Sequence, residues 1–171
     1  LVPLKRQYPQ LRLVLSEELT ESLLGRLQRH DLDAILIATP VEQPDLTVIP
    51  LFDEPFWLAH HRDHPLYTQD ELTAQDLAEI GLLLLAEGHC LTHQVLEVCH
   101  LTERPQRGEM ADLRAASLET LLQLVSAGFS CTLVPALAIR GGWMPDTGIV
   151  ARRLELPDAV RRISLVFRRS F

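Results

Sequence analysis

The 171 residues, 47% of them hydrophobic, suffice to bury an ordinary core without a disulfide framework or a structural metal. A net charge of -7 and an isoelectric point near 5.4 argue against a nucleic-acid surface on this segment, because phosphate binding draws on clustered Lys and Arg. The longest apolar runs, such as Leu82 to Ala86, fall far short of the roughly 20 residues that span a bilayer, and no charged-then-apolar leader opens the chain, so a soluble cytoplasmic protein with no membrane partner is expected.

Leu11, Leu13 and Leu15 alternate with Arg12 and Val14, which predicts a strand, and Leu19, Leu23, Leu24 and Leu27 follow at helical spacing. Residues 32–38 form a nearly continuous apolar run suited to burial on both faces of a parallel sheet, completing a β-α-β unit. Thr47 to Phe52 and Phe56 to His60 read as two short strands, with a change of direction at Asp53-Glu54-Pro55. The capping-box pattern Thr73-Ala-Gln-Asp76 opens a short helix through Glu79, ahead of a buried strand from Leu82 to Ala86. His89 to Leu101 makes about three helical turns, with Leu91, Val95 and Val98 or Leu101 on one face. A second helix runs from Ser117 to its natural stop at Gly128, and Cys131-Thr-Leu-Val is the strand after it. Ile149 to Leu156 and Arg162 to Phe167 are the last strands, on either side of Pro157-Asp158. Such alternation implies an α/β fold with largely parallel sheets, and two half-sized sheets would leave a ligand cleft between two lobes. The chain opens without Met inside what reads as an element and stops straight after a strand-like run, so it is expected to be a piece of something larger.

Few residues can carry chemistry. Cys90 stands after Gly88-His89 at the expected start of a helix, where the positive end of the helix dipole stabilises the thiolate that a reactive cysteine needs. The alternative is an inert small hydrophobe. Cys99 lies nine positions on; if the stretch between is helical, the two are about 13 Å apart on opposite faces, whereas a disulfide needs Cα atoms within about 7 Å. Joining them requires local unwinding, which suits a redox switch better than a structural bridge. Cys131, in a buried strand run, reads as core packing. His60, His61, His64, His93 and His100 show no metal-like spacing and read as mostly surface; His89 is kept because it neighbours the candidate thiol and can donate a hydrogen bond. With no Cys/His ligand quartet, Gly-rich phosphate loop or nucleophile elbow around Ser117 or Ser130, neither a metal nor a nucleotide cofactor is expected. Arg152, Arg153, Arg161, Arg162, Arg168 and Arg169 are the one basic concentration and read as solvated strand edges.

Pro50-Leu-Phe-Asp-Glu-Pro55, Glu87-Gly-His-Cys90 with Cys99 nine residues on, Ser117-Leu-Glu-Thr-Leu121 and Thr132-Leu-Val-Pro-Ala-Leu-Ala138 together resemble the regulatory domains of LysR-type hydrogen-peroxide sensors over nearly the whole chain. The resemblance implies two Rossmann-like lobes of periplasmic-binding-protein type, lobe I from residues 1–52 with 157–171 and lobe II from 53–156, lacking the N-terminal winged helix-turn-helix. It implies Cys90 as the peroxidatic thiol, Cys99 as the resolving one and a peroxide pocket using Thr20, His89 and Arg161, with Thr20 read equally well as a helix cap. The implied partners are hydrogen peroxide, further copies in dimers and tetramers, promoter DNA through the absent domain, RNA polymerase, and a thiol reductant such as glutaredoxin or thioredoxin. No cofactor is implied, and the switch would be stoichiometric rather than enzymatic. His93 stands where the family carries an acidic residue, and the stretch from His100 to Asp112 is longer than the family's. Two rivals are a LysR-type effector domain that binds a small metabolite and a thiol peroxidase.

Overall fold

The computed structural model describes residues 2–69, 71–101, 113–139 and 147–169. In chain order its elements are α1 (Val2–Gln7), α2 (Thr20–Gln28), β1 (Ala34–Ile37), β2 (Leu46–His61), a 3-10 turn (Pro65–Thr68), α3 (Ala74–Ile80), β3 (Leu84–Leu85), α4 (Cys90–Val98), β4 (Arg114–Ala115), α5 (Leu118–Ser126), β5 (Thr132–Pro135), α6 (Ala136–Ile139), β6 (Ile149–Arg153) and β7 (Val160–Arg168). Two apolar clusters dominate. The smaller joins Leu27 of α2 to Ile35, Ile37, Leu46 and Val166; the larger gathers Phe56, Leu58, Leu77, Leu84, Val95, Cys99, Leu121, Cys131 and Leu133 with their neighbours.

One strand serves both. β2 pairs with β7 along its first half, Leu46 opposite Arg168 through Pro55 opposite Val160. Its second half is flanked by β5 and β6. The expected turn at Asp53-Glu54-Pro55 does not form. The strand absorbs its irregularity in a bulge between Pro50 and Phe52 and runs on, because Asp53 and Glu54 stand opposite Arg162 and Arg161 and are ion-paired to them.

Two further expectations are corrected. Leu11 to Leu15 forms no strand: residues 8–19 are exposed and irregular, and among the described residues no strand pairs with this segment. The sheets are not largely parallel either. Each pairing in the five-stranded sheet is antiparallel, and the parallel contact is β3 with β4, across α4. β1 accordingly alternates between exposed and buried residues instead of being covered on both faces.

The helices end by one device. After α5, Gly128 takes φ 81° while its N–H bonds Val125 O and that of Phe129 bonds Leu124 O. α2 and α4 close with the same pair of bonds, yet with His30 (φ 65°) and His100 (φ 54°) in the left-handed position that glycine occupies more cheaply. That is why α4 stops at Val98, short of the expected Leu101. α3 starts as expected, with both bonds of the Thr73/Asp76 capping box in place.

The basic cluster and the histidines are not simply solvated. Arg168 donates to the carbonyls of Leu27 and Leu32, Arg152 to those of Leu66 and Gln69, and Arg161 binds the buried Glu54. His60 is wholly buried on β2; its Nδ1 bonds the His61 carbonyl, its Nε2 has no hydrogen-bond partner, and the rings of His64 and Tyr67 and the charge of Arg152 lie around it. Burial first, and Arg152 and His61 secondarily, hold His60 below the ordinary value of 6.5, and burial does the same to His64. The unfolded chain therefore takes up protons below pH 6.5 that the folded chain refuses, so stability falls as pH drops through that point. Thermal melts from pH 7.5 to 5 should show this loss, and the loss should shrink in His60→Leu. Removing the buried carboxylate is a larger insult: Glu54→Ala should cost about 3–5 kcal/mol in urea titration by stranding Arg161, while Asp53→Ala, at an exposed pair, should hardly move the midpoint.

Candidate functional site

Cys90 is the first residue of α4, and the segment leading into the helix is built to expose that end. Gly88 takes φ 92°, and His89 in the N-cap position places no side-chain bond on the first-turn amides. Nothing in the helix itself therefore neutralises the positive end of its dipole beside a half-buried thiol. A second helix start comes up against this one. Leu19, the N-cap residue of α2, likewise makes no capping bond, and its methyl group lies 3.4 Å from where a β-carbon on Gly88 would stand. Thr20, first residue of α2 and partly buried, belongs to that end. The start of α2 thus lies against the lead-in to α4, which brings the segments carrying Thr20, His89 and Cys90 to one place; the first turn of α4 holds no acidic residue, whereas that of α2 holds Glu21.

Behind the thiol, α4 is anchored on both cores. Leu91, Val95 and Val98 are buried as expected, and Thr92 Oγ1 donates to the Leu85 carbonyl of β3 at 3.0 Å. Gln94, which the sequence reading passed over, donates from Nε2 to the carbonyl of Ala38 beyond β1 at 3.0 Å. Only its i+4 spacing from Cys90 could have singled it out. His93, in place of the family's acidic residue, is exposed and sits 3.8 Å from Glu97 on the outer face.

The helix is intact between the cysteines. Cys99 is its C-cap residue, so the two Cα atoms are about 13 Å apart on opposite faces, and all three cysteines are free thiols. Burial pushes the Cys99 thiol up to about 11 and that of Cys131 to about 12, so both are protonated and poorly nucleophilic at neutral pH. Arg161 is held by Glu54, with Nη2 to Oε2 at 2.8 Å, while Glu54 Oε1 accepts the Leu137 N–H at 2.7 Å. The guanidinium is thus committed to the β2–β7–α6 junction. The unusually long stretch noted between His100 and Asp112 lies, from 102 on, outside the described residues. Among those described, no group of three or more His, Cys, Asp or Glu is placed to hold a metal, and no helix is long and apolar enough to cross a membrane.

The profile of the LysR substrate-binding domain matches residues 1–171. The chain belongs to that family. Within it, the similarity falls on one group: a probable hydrogen peroxide-inducible genes activator of Mycobacterium avium is 43% identical over 166 residues, 95% of this chain and 51% of the relative. The DNA-binding transcriptional dual regulator OxyR of Escherichia coli is 37% identical over 169 residues, 98% and 54% respectively. The chain thus spans about half the length of the curated relatives it matches. Among solved structures, the reduced OxyR regulatory domain of Pseudomonas aeruginosa superposes with a TM-score of 0.86 at 33% identity, covering 99% of this chain and 81% of that one. A reduced form of OxyR from N. meningitidis gives 0.87 at 32% identity, covering 99% and 79%. This is an OxyR-type regulatory domain of the two-lobed LysR class.

Accessibility and thiol chemistry together set an order of reaction. Under native conditions iodoacetamide should label Cys90 ahead of Cys99 and Cys131, with the two buried thiols labelled only after denaturant is added, as peptide mapping would read directly.

Proposed function

We propose that this domain senses hydrogen peroxide through Cys90 and stores the signal as a Cys90–Cys99 disulfide. The observation that carries the reading is the placement of Cys90 at an uncapped helix start against which a second uncapped helix start is packed. The positive end of the α4 dipole at such a site stabilises the hydroxide that leaves when peroxide is cleaved.

In this scheme the Cys90 thiolate attacks one peroxide oxygen, the O–O bond breaks, and hydroxide departs, leaving a sulfenic acid. His89 and Thr20 supply hydrogen bonds to the peroxide, while Arg161, the third pocket residue that the resemblance implies, stays paired with Glu54 at the junction and supplies no free charge. The Cys99 thiol then displaces the sulfenic hydroxyl, forming the S–S bond and releasing water. Burial delays this second step usefully. While Cys99 sits in the core its thiol stays protonated; once α4 unwinds, the sulfur is hydrated and becomes a competent nucleophile. A thiol reductant such as glutaredoxin or thioredoxin resets the switch, so the domain turns over once per cycle and is not an enzyme.

The remaining assignments rest on the relatives. We infer lobe I from residues 1–52 with 157–171 and lobe II from 53–156, consistent with an apolar cluster on each side of the β2 crossing. We further infer dimers or tetramers whose rearrangement is passed to promoter DNA and RNA polymerase by a DNA-binding domain outside this sequence, in a cytoplasmic setting. Intact-mass measurement after brief treatment with stoichiometric peroxide should show the loss of two hydrogens, mapped to a Cys90–Cys99 linkage. Cys99→Ser should stop at the sulfenic acid, trapped with dimedone. Unreacted thiols in the unaltered chain would sink the reading in favour of a metabolite-binding effector domain.

A further inference from the structure

Gln94 ties the redox helix to the other core. Its Nε2 donates to the carbonyl of Ala38, 56 positions away in sequence and next to the last residue of β1. The other amide atom, Oε1, is buried without a hydrogen-bond partner, as is Oγ1 of Thr39, the residue after Ala38. The side chain is therefore not solvated at large: its hydrogen bond is the one that crosses from α4 to the end of β1. Gln94 also lies four residues after Cys90, on the same helix face, and five before Cys99. It thus sits inside the segment that a Cys90–Cys99 bond closes into a ring. In the intact helix the two cysteines are about 13 Å apart, and a disulfide brings their Cα atoms within about 7 Å. The backbone at residue 94 cannot hold its present place over Ala38 while both cysteines meet.

We propose that Gln94 is a latch, a positioning residue that holds α4 to the end of β1 while Cys90 is reduced and lets go when the disulfide forms. This rests on the peroxide-sensing reading above and adds the step by which a local bond becomes a loss of contact between the two cores. It also separates the two chemical steps. Sulfenic acid forms with the latch closed, since α4 is still helical; condensation with Cys99 needs it open. Removing the donor therefore slows the first step, by loosening Cys90 against α2, and speeds the second. One hydrogen bond of ordinary net strength corresponds to about threefold to tenfold in the condensation rate.

Gln94→Glu keeps the shape and removes the donor; Gln94→Met, of similar volume, does so without adding a charge should the glutamate variant fold poorly. Dimedone quenching and intact mass after peroxide give both rates, and hydrogen exchange of the peptide spanning residues 34–41 reports β1. In the unaltered chain, oxidation should raise exchange in that peptide. In the variants condensation should be about threefold to tenfold faster, and exchange near Ala38 should already be high before oxidation and change no further. A residue that merely stabilised α4 would leave the β1 response to oxidation intact; that result, or an unaltered condensation rate, overturns the latch. If instead the unaltered chain forms no Cys90–Cys99 bond, it is the underlying sensing assignment that fails.

Discussion

A carboxylate buried at 2% exposure in the middle of a strand has to be answered, and the answer organises this molecule. Glu54 meets Arg161 from β7 on one oxygen and the Leu137 amide at the start of α6 on the other. The ion pair pins β7 to β2 where β2 leaves the smaller apolar cluster for the larger one, so the chain crosses between cores in rigid extended backbone instead of a hinge loop. Because β2 is continuous for 16 residues, the cores are fixed relative to each other along it. The start of α2 and the start of α4, carried by different cores, are thereby held against one another.

What is held there is a helix under tension at both ends. The first turn of α4 lacks a side-chain cap, and its last turn closes on His100 in a left-handed conformation that a non-glycine residue adopts at a cost of about 1–2 kcal/mol. Between these ends the helix is retained by burial of Leu91, Val95 and Val98 and by the hydrogen bonds of Thr92 and Gln94. Apolar packing and two side-chain bonds are thus set against an uncapped start and a strained finish, the balance that a Cys90–Cys99 bond overturns in the scheme we propose. Burial of Cys99 in the core keeps its thiol protonated while the helix is intact.

Much of the part built around the larger apolar cluster was legible in the sequence, because its elements carry their own signals: the Thr73/Asp76 capping box, the stop at Gly128, and the apolar spacing of Leu91, Val95 and Val98. The start of α4 at Cys90 was legible for the same reason, since Gly88-His89 ahead of an apolar-periodic run is a local pattern. The errors share a cause. Alternation at Leu11 to Leu15 specifies a strand only where a neighbouring edge accepts its hydrogen bonds. Asp53-Glu54-Pro55 spells a turn only until two arginines more than 100 positions away are placed opposite it. His60 and Arg168 look like surface groups until the strands around them close.

By itself the sequence determined helices α2 to α5, the apolar face of α4 and which cysteine begins a helix, because periodicity, capping and turn chemistry act over a few residues. Tertiary structure alone decided that β2 runs unbroken, that its partners are antiparallel, that Arg161 answers Glu54, and that Gln94 reaches Ala38. Each of those depends on the meeting of groups distant in the chain, and the energy of such a meeting, whether a paired buried charge or a shared hydrogen bond, exists only once the fold has brought both partners out of water.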